Sequence, residues 1–164
     1  MSLPSPATRA LVLMGVSGSG KTTIGQGLAD ALGWRFVDAD DVHPPANVAK
    51  MRAGTPLDDA DREPWLERLN ALLRHAVAKD ERVVLACSAL KARYRERLAG
   101  RLEDLAFVHL QGDFELIRAR AETRQHRYMP AALLRSQFDA LEPPADALVL
   151  DIRHPPQALV EMLR

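Results

Sequence analysis

Five short apolar runs alternate along the chain with longer stretches of helical periodicity. The runs are Ala10–Met14, Arg35–Asp38, Arg82–Cys87, Leu105–Gln111 and Ala147–Ile152. Several are continuous in Val and Leu instead of alternating with polar residues, the pattern of strands buried on both faces of a parallel sheet. Between them the spacing predicts helices over Lys21–Leu32, Pro64–Ala78, Leu90–Leu102, Phe114–Thr123 and Pro130–Leu141. The second is the best amphipath: Trp65, Leu66, Leu69, Leu72, Leu73, Ala76 and Val77 fall on one stripe. Pro64 fits its first turn, where a missing N–H costs nothing. Strands alternating with helices imply right-handed crossovers and an open α/β sheet of five strands with helices on both faces. Ligands in such folds bind at the carboxyl ends of the strands. Two stretches break the alternation, Asp40–Asp61, rich in Pro, Asp and Gly, and the polar Arg124–Met129. Both have the composition of substrate-covering elements.

A length of 164 residues suits one domain, spanning 1–164, with residues 1–8 as a loose tail. Lys+Arg and Asp+Glu each total 22, so charge gives no case for a nucleic-acid or membrane-surface partner. No run approaches the roughly 20 apolar residues of a membrane span, and Ala10–Met14 is too short for a signal peptide. The single cysteine, Cys87, cannot form an intrachain disulfide, and a cytoplasmic location is expected. Arg outnumbers Lys 18 to 4, which reflects genome composition unless position shows the arginines gathered on phosphate.

Gly15-Val16-Ser17-Gly18-Ser19-Gly20-Lys21-Thr22 is a complete GxxxxGK[ST] between an apolar run and a helical pattern. Its backbone N–H groups would wrap phosphate oxygens at the N-terminus of the following helix, whose first turn includes Thr23. Lys21 adds positive charge and the Thr22 hydroxyl is placed for Mg²⁺. No guanine-reading NKxD motif is present, and the third apolar run ends Ala86-Cys87-Ser88 without an acid. The acid supporting Mg²⁺ must come from elsewhere, which points to a small phosphotransferase. Asp38-Ala39-Asp40-Asp41 closes the second run. Phosphoryl transfer to an alcohol needs positioning and a carboxylate to take the hydroxyl proton. Asp40 is the candidate base, Asp38 the candidate near the Mg²⁺ water shell, and Asp41 fits a helix cap. A transition-metal site from Asp38, Asp40 and His43 is the alternative, with a spacing that matches no familiar ligand motif.

These residues resemble a family. The phosphate loop, Asp38–Pro44, Asn47–Met51, Gly54–Arg62 and Pro64-Trp65-Leu66 are similar to P-loop gluconate kinases. So are Cys87–Lys91 with Tyr94-Arg95, and Ser136-Gln137-Phe138 with Leu141-Glu142-Pro143. The resemblance covers nearly all of the chain past residue 10. It implies a three-layer fold like that of nucleoside-monophosphate kinases, with a helical lid at about 120–131. It also implies ATP- and Mg²⁺-dependent phosphorylation of D-gluconate at its 6-hydroxyl, a cytoplasmic enzyme of sugar-acid catabolism, and a homodimer. One departure stands in the lid: His126-Arg127-Tyr128-Met129-Pro130 puts Arg127 where the family has its histidine, so that role is not carried to His126.

Gluconate needs a cation for its carboxylate and polar groups for its hydroxyls. Asp40, His43, Asn47, Lys50, Arg52, Arg62, Lys91 and Arg95 are the candidates on offer, with solvated helix faces and local ion pairs as the alternatives for the cations. Arg120 and Arg124 are four apart at a helix end, and Arg127 lies three further on. Arg120 is a candidate nucleotide contact, and Arg124 the candidate arginine finger on the transferring phosphoryl. Trp65 and Phe138 fit the core. The segment Asp151–Pro155 would contact adenine by fold position. Kinases of shikimate or of a nucleoside monophosphate remain open, as does an ATP-binding regulator with no acceptor.

Overall fold

The central strand β1, Ala10–Met14, is buried at all five positions, as its continuous apolar run requires. The computed structural model containing it describes residues 6–122 and 131–164. Four further strands join it in one parallel sheet: β2 (Arg35–Asp38), β3 (Val83–Ala86), β4 (Leu105–Gln111) and β5 (Leu148–Asp151). Their order is β2-β3-β1-β4-β5. Val12 lies opposite Leu85 of β3 and Phe107 of β4.

The helices are α1 (Lys21–Leu32), α2 (Pro45–Arg52), α3 (Asp59–Ala78), α4 (Ala92–Ala99), α5 (Phe114–Glu122), α6 (Ala131–Ala140) and α7 (Pro156–Leu163). Strand alternation divides the core in two. Ala10, Val12, Met14, Val83 and Leu85 pack against Trp65, Leu66, Leu69 and Leu73 of α3 and Leu98 of α4. Leu11, Leu13 and Val84 pack against Ile24 and Leu28 of α1, Ile117 of α5, Leu134 of α6 and Leu159 of α7. The result is three layers, with β1 leading through α1 to β2 on one side of it and β3 leading through α4 to β4 on the other. That divergence opens a crevice at the carboxyl ends of the strands. Among the described residues no helix is long and apolar enough to cross a membrane.

The structure departs from the sequence reading at five places. Helix α3 starts at Asp59, more than a turn before Pro64, because Asp58 and Asp61 form a reciprocal capping box: each carboxylate accepts the other's backbone N–H, at 2.7 and 3.0 Å. Pro64 therefore sits inside the helix, where its missing N–H forgoes only a bond to the exposed Ala60. The stretch Asp40–Asp61 is not a loop throughout. It holds a 3₁₀ turn at Ala39–Val42 and then α2, with prolines at its start. Helix α4 begins at Ala92 instead of Leu90, since Ala89 adopts a left-handed φ of 46° and breaks the helical run. Helix α7 was not anticipated; Leu159 and Leu163 seat it beside α1. Thr8, assigned to the tail, is buried.

Candidate active site

The phosphate loop follows β1 directly. Gly15 has φ 154°, and a Cβ there would lie 2.7 Å from Ser19 Oγ and 2.9 Å from the Leu110 carbonyl, so only glycine fits. Gly20, at φ 98°, turns the chain into α1. The Lys21 ammonium donates to the carbonyls of Gly15 and Val16, both at 3.0 Å. Ser19 Oγ is buried with no hydrogen-bond partner among the described residues.

The loop forms one wall of a cavity of about 400 Å³. Ser17, Gly18, Gly20, Lys21, Thr22 and Thr23 line that wall. Asp38, Asp40, His43, Arg62 and Trp65 also line the cavity, as do Ala86, Cys87 and Ser88 at the end of β3. One space thus joins a phosphate cradle to carboxylates, an imidazole and a guanidinium. The Thr22 hydroxyl donates to Asp38 Oδ2 at 3.1 Å. The other oxygen, Asp38 Oδ1, accepts the Asp40 backbone N–H at 3.0 Å and caps the 3₁₀ turn. Asp40 is exposed into the crevice. Among the described residues no three His, Cys, Asp or Glu side chains gather as a metal cluster, so Asp38, Asp40 and His43 do not form the alternative site.

His43 stacks on Trp65 with ring centroids 4.3 Å apart and planes 11° from parallel. Trp65 is buried in the core as expected, but it also walls the cavity, and its indole N–H donates to the Ala39 carbonyl at 2.8 Å. Burial lowers the His43 pKa below the usual histidine value; Asp40 opposes this and Arg62 adds to it. Cys87 is buried, which pushes its thiol up to about 12 and leaves it inert.

The candidate cations separate. Arg62 lines the cavity, donates to the Tyr94 hydroxyl at 3.3 Å and lies 3.8 Å from Asp59. Lys91 precedes α4, 3.9 Å from the same Asp59 carboxylate and outside the cavity lining. Tyr94 and Arg93 also bond Asp59. The Tyr94 hydroxyl, then Arg93, Lys91 and Arg62, hold the Asp59 carboxyl below the ordinary range. Lys50 is not turned to the cavity: Asp61 takes its ammonium at 2.8 and 2.9 Å. Arg52 is exposed near the end of α2, also outside the lining.

Arg95 is a strut. It is 8% exposed, and its guanidinium donates to the carbonyls of Ala89 (2.7 Å), Leu90 (3.1 Å) and Glu142 (2.8 Å). It ties the strained turn after β3 to the end of α6. Replacing it with alanine leaves the Ala89 and Glu142 carbonyls without that donor, and Arg95→Ala is expected to lower unfolding stability by about 3 kcal/mol. Urea denaturation measures this; a loss below about 1 kcal/mol would deny it the strut role.

Arg120 donates to the Ile152 carbonyl at 2.5 Å, linking α5 to the segment after β5. In that segment Asp151 and Arg153 line a second cavity of about 260 Å³, where Arg153 holds the Asp151 carboxyl at about 2. Arg124, His126 and Arg127, and with them most of the expected lid, lie outside the described residues. Two groups escaped the sequence reading. Gln137 of α6 reaches back to the loop, accepting the Ser17 backbone N–H at 2.7 Å and donating to the Ser17 hydroxyl at 3.2 Å. Met51 and Leu57 form an apolar lip on the cavity. A spacing of 120 residues hides the first, while the second reads as surface composition.

Comparison with known proteins agrees with this arrangement. The family model described as shikimate kinase matches residues 17–141. A gluconokinase from Gluconobacter oxydans is 47% identical over 95% of this chain and 90% of its own length. The thermosensitive gluconokinase of Escherichia coli is 45% identical over 96% of this chain and 87% of its own. A crystal structure of a gluconokinase from Sinorhizobium meliloti superposes with a TM-score of 0.84 at 38% identity, covering 99% of this chain and 91% of that one. Sequence, sheet order and phosphate loop converge, and the chain belongs to the gluconokinase family of P-loop kinases, which shares the shikimate kinase domain.

Proposed function

We propose that this chain transfers the terminal phosphoryl group of ATP to the 6-hydroxyl of D-gluconate, giving 6-phosphogluconate and ADP. The observation that carries the reading is the single cavity in which the phosphate loop faces Asp40, His43 and Arg62. The loop N–H groups and Lys21 take the phosphates, Asp40 takes the proton of the attacking hydroxyl, and Arg62 offers charge to the substrate carboxylate. Relatives named gluconokinase at 45–48% identity give the acceptor its identity. Thr22 and Asp38 are a hydroxyl and a carboxylate in contact, a hard oxygen pair suited to Mg²⁺. Thr22 would bind the ion directly and Asp38 its water shell; the ion would neutralise phosphate charge.

ADP release from Mg·ATP, measured with gluconate, shikimate, a nucleoside-monophosphate panel and no acceptor, tests the function. Strong stimulation by gluconate alone is expected. ATP binding with no stimulated turnover would favour a nucleotide-binding regulator and remove the kinase reading. For the metal pair, Thr22→Ala is expected to raise the Mg²⁺ concentration for half-maximal turnover about tenfold. Thr22 is exposed, so the fold should persist. An unchanged Mg²⁺ titration would exclude the ligand role.

A further inference from the structure

Asn47 is a polar residue of α2 with only 4% of its surface exposed, and nothing in the transfer chemistry uses it directly. Its side-chain nitrogen, Nδ2, lies 2.9 Å from the Asp61 backbone carbonyl and 3.2 Å from His43 Nδ1. The first contact fixes the amide orientation. A backbone carbonyl only accepts, so the Asn47 atom facing it must be the NH₂ group and not the oxygen. The second contact then fixes the imidazole. An NH₂ group only donates, so His43 Nδ1 must be its unprotonated acceptor. A proton on Nδ1 would set N–H against N–H inside a half-buried site, and a ring flip would set a C–H there. Neither makes a bond. Stacking on Trp65 fixes the plane of the ring, and Asn47 fixes which nitrogen carries the proton.

We infer that Asn47 is a positioning residue that locks His43 as a neutral Nε2–H donor, so that the imidazole donates a hydrogen bond to a hydroxyl oxygen of the acceptor and does not serve as its base. The direction of the His43 pKa, lowered chiefly by burial, agrees with a neutral ring. The assignment rests on the gluconate kinase reading for the identity of the acceptor but not for the tautomer. It also divides labour within the cavity. Asp40 is left as the proton acceptor, while His43 reads the polyol through an oriented donor. A buried donor made to meet a hydroxyl rejects an acceptor that lacks one, because its own bond is then lost.

The first test needs no variant. In ¹⁵N-histidine-labelled protein near neutral pH, long-range ¹H–¹⁵N correlation spectra should show the His43 Nδ1 with the shift of an unprotonated ring nitrogen and Nε2 with that of a protonated one. The His43 signals are identified by their loss in His43→Gln. A protonated Nδ1 overturns the inference. The second test is kinetic. Asn47→Ala should raise the gluconate KM about tenfold, the loss of one oriented hydrogen bond, with the ATP KM and kcat changed less than about twofold. His43→Gln, whose amide can place a donor near the Nε2 position, should retain more gluconate affinity than His43→Asn. A rise in both KM values together, or equal losses in the two His43 variants, would reduce Asn47 to a structural role and overturn the inference. Wild-type protein inactive on gluconate would instead remove the proposed acceptor, and the nitrogen shifts would still decide the tautomer.

Discussion

Asp40→Asn is expected to lower kcat by about a thousandfold, within the range a general base contributes. Asparagine has the same shape and keeps the backbone N–H that Asp38 accepts at 3.0 Å, so the 3₁₀ turn should stand. Asp40 is exposed into the crevice, and the melting temperature should barely move. What asparagine cannot do is take a proton. The ATP Kd, set by the phosphate loop, should stay within about twofold. An internal marker accompanies the change. The Asp40 charge raises the His43 pKa, so its removal should lower that pKa further, which histidine NMR can follow. Turnover within a few-fold of wild type, with the His43 shift present, would take Asp40 out of the mechanism while showing that the substitution reached the site.

The centre of the sheet was legible because β1 and β3 are buried on both faces. A run such as Val83–Ala86 has no polar partner positions to blur its ends, and the predicted and observed strands agree to within a residue or so. The start of α3 was not legible from Pro64, since a reciprocal Asp58–Asp61 cap outweighs the usual place of proline. Helix α2 carries no apolar stripe; its one buried side chain is the polar Asn47. Periodicity has no purchase on such a helix, and only the prolines at its start mark it.

The site was half legible. Contiguous motifs such as the phosphate loop and Asp38–Asp41 carry their geometry with them. The cations do not. Lys50 and Arg62 are both basic residues of the same substrate-side region, yet one is neutralised by Asp61 and the other lines the cavity. The difference depends on where the first turn of α3 sits against α2, which is a tertiary fact. Arg95 shows the same limit. Its place after the third strand suits a substrate ligand, but the strained Ala89 turn and the Glu142 carbonyl claim its guanidinium.

The second large effect is expected at Lys21. Lys21→Met should lower kcat/KM for ATP by about a hundredfold to a thousandfold, the scale of losing one preorganised charged donor at a transferring phosphoryl group. The methionine stem is similar in length and apolar, so packing along the loop is kept while the ammonium is lost. That ammonium donates to the Gly15 and Val16 carbonyls, each at 3.0 Å. These bonds tie the ammonium to the backbone of the phosphate loop. Their loss should cost no more than about 2 kcal/mol of stability, because the Val16 carbonyl still accepts the Ser19 backbone N–H at 3.2 Å. Activity and stability therefore separate: a large kinetic defect with a small shift in the denaturation midpoint. Lys21→Arg sharpens the argument. It keeps the charge, but a planar guanidinium is larger than the compact ammonium that these two carbonyls accept. The arginine variant should recover nucleotide affinity better than it recovers kcat. Full recovery of kcat by arginine would mean that only net charge matters at this position, and a stability loss large enough to account for the kinetic defect would make Lys21 a part of the loop's architecture instead of its chemistry.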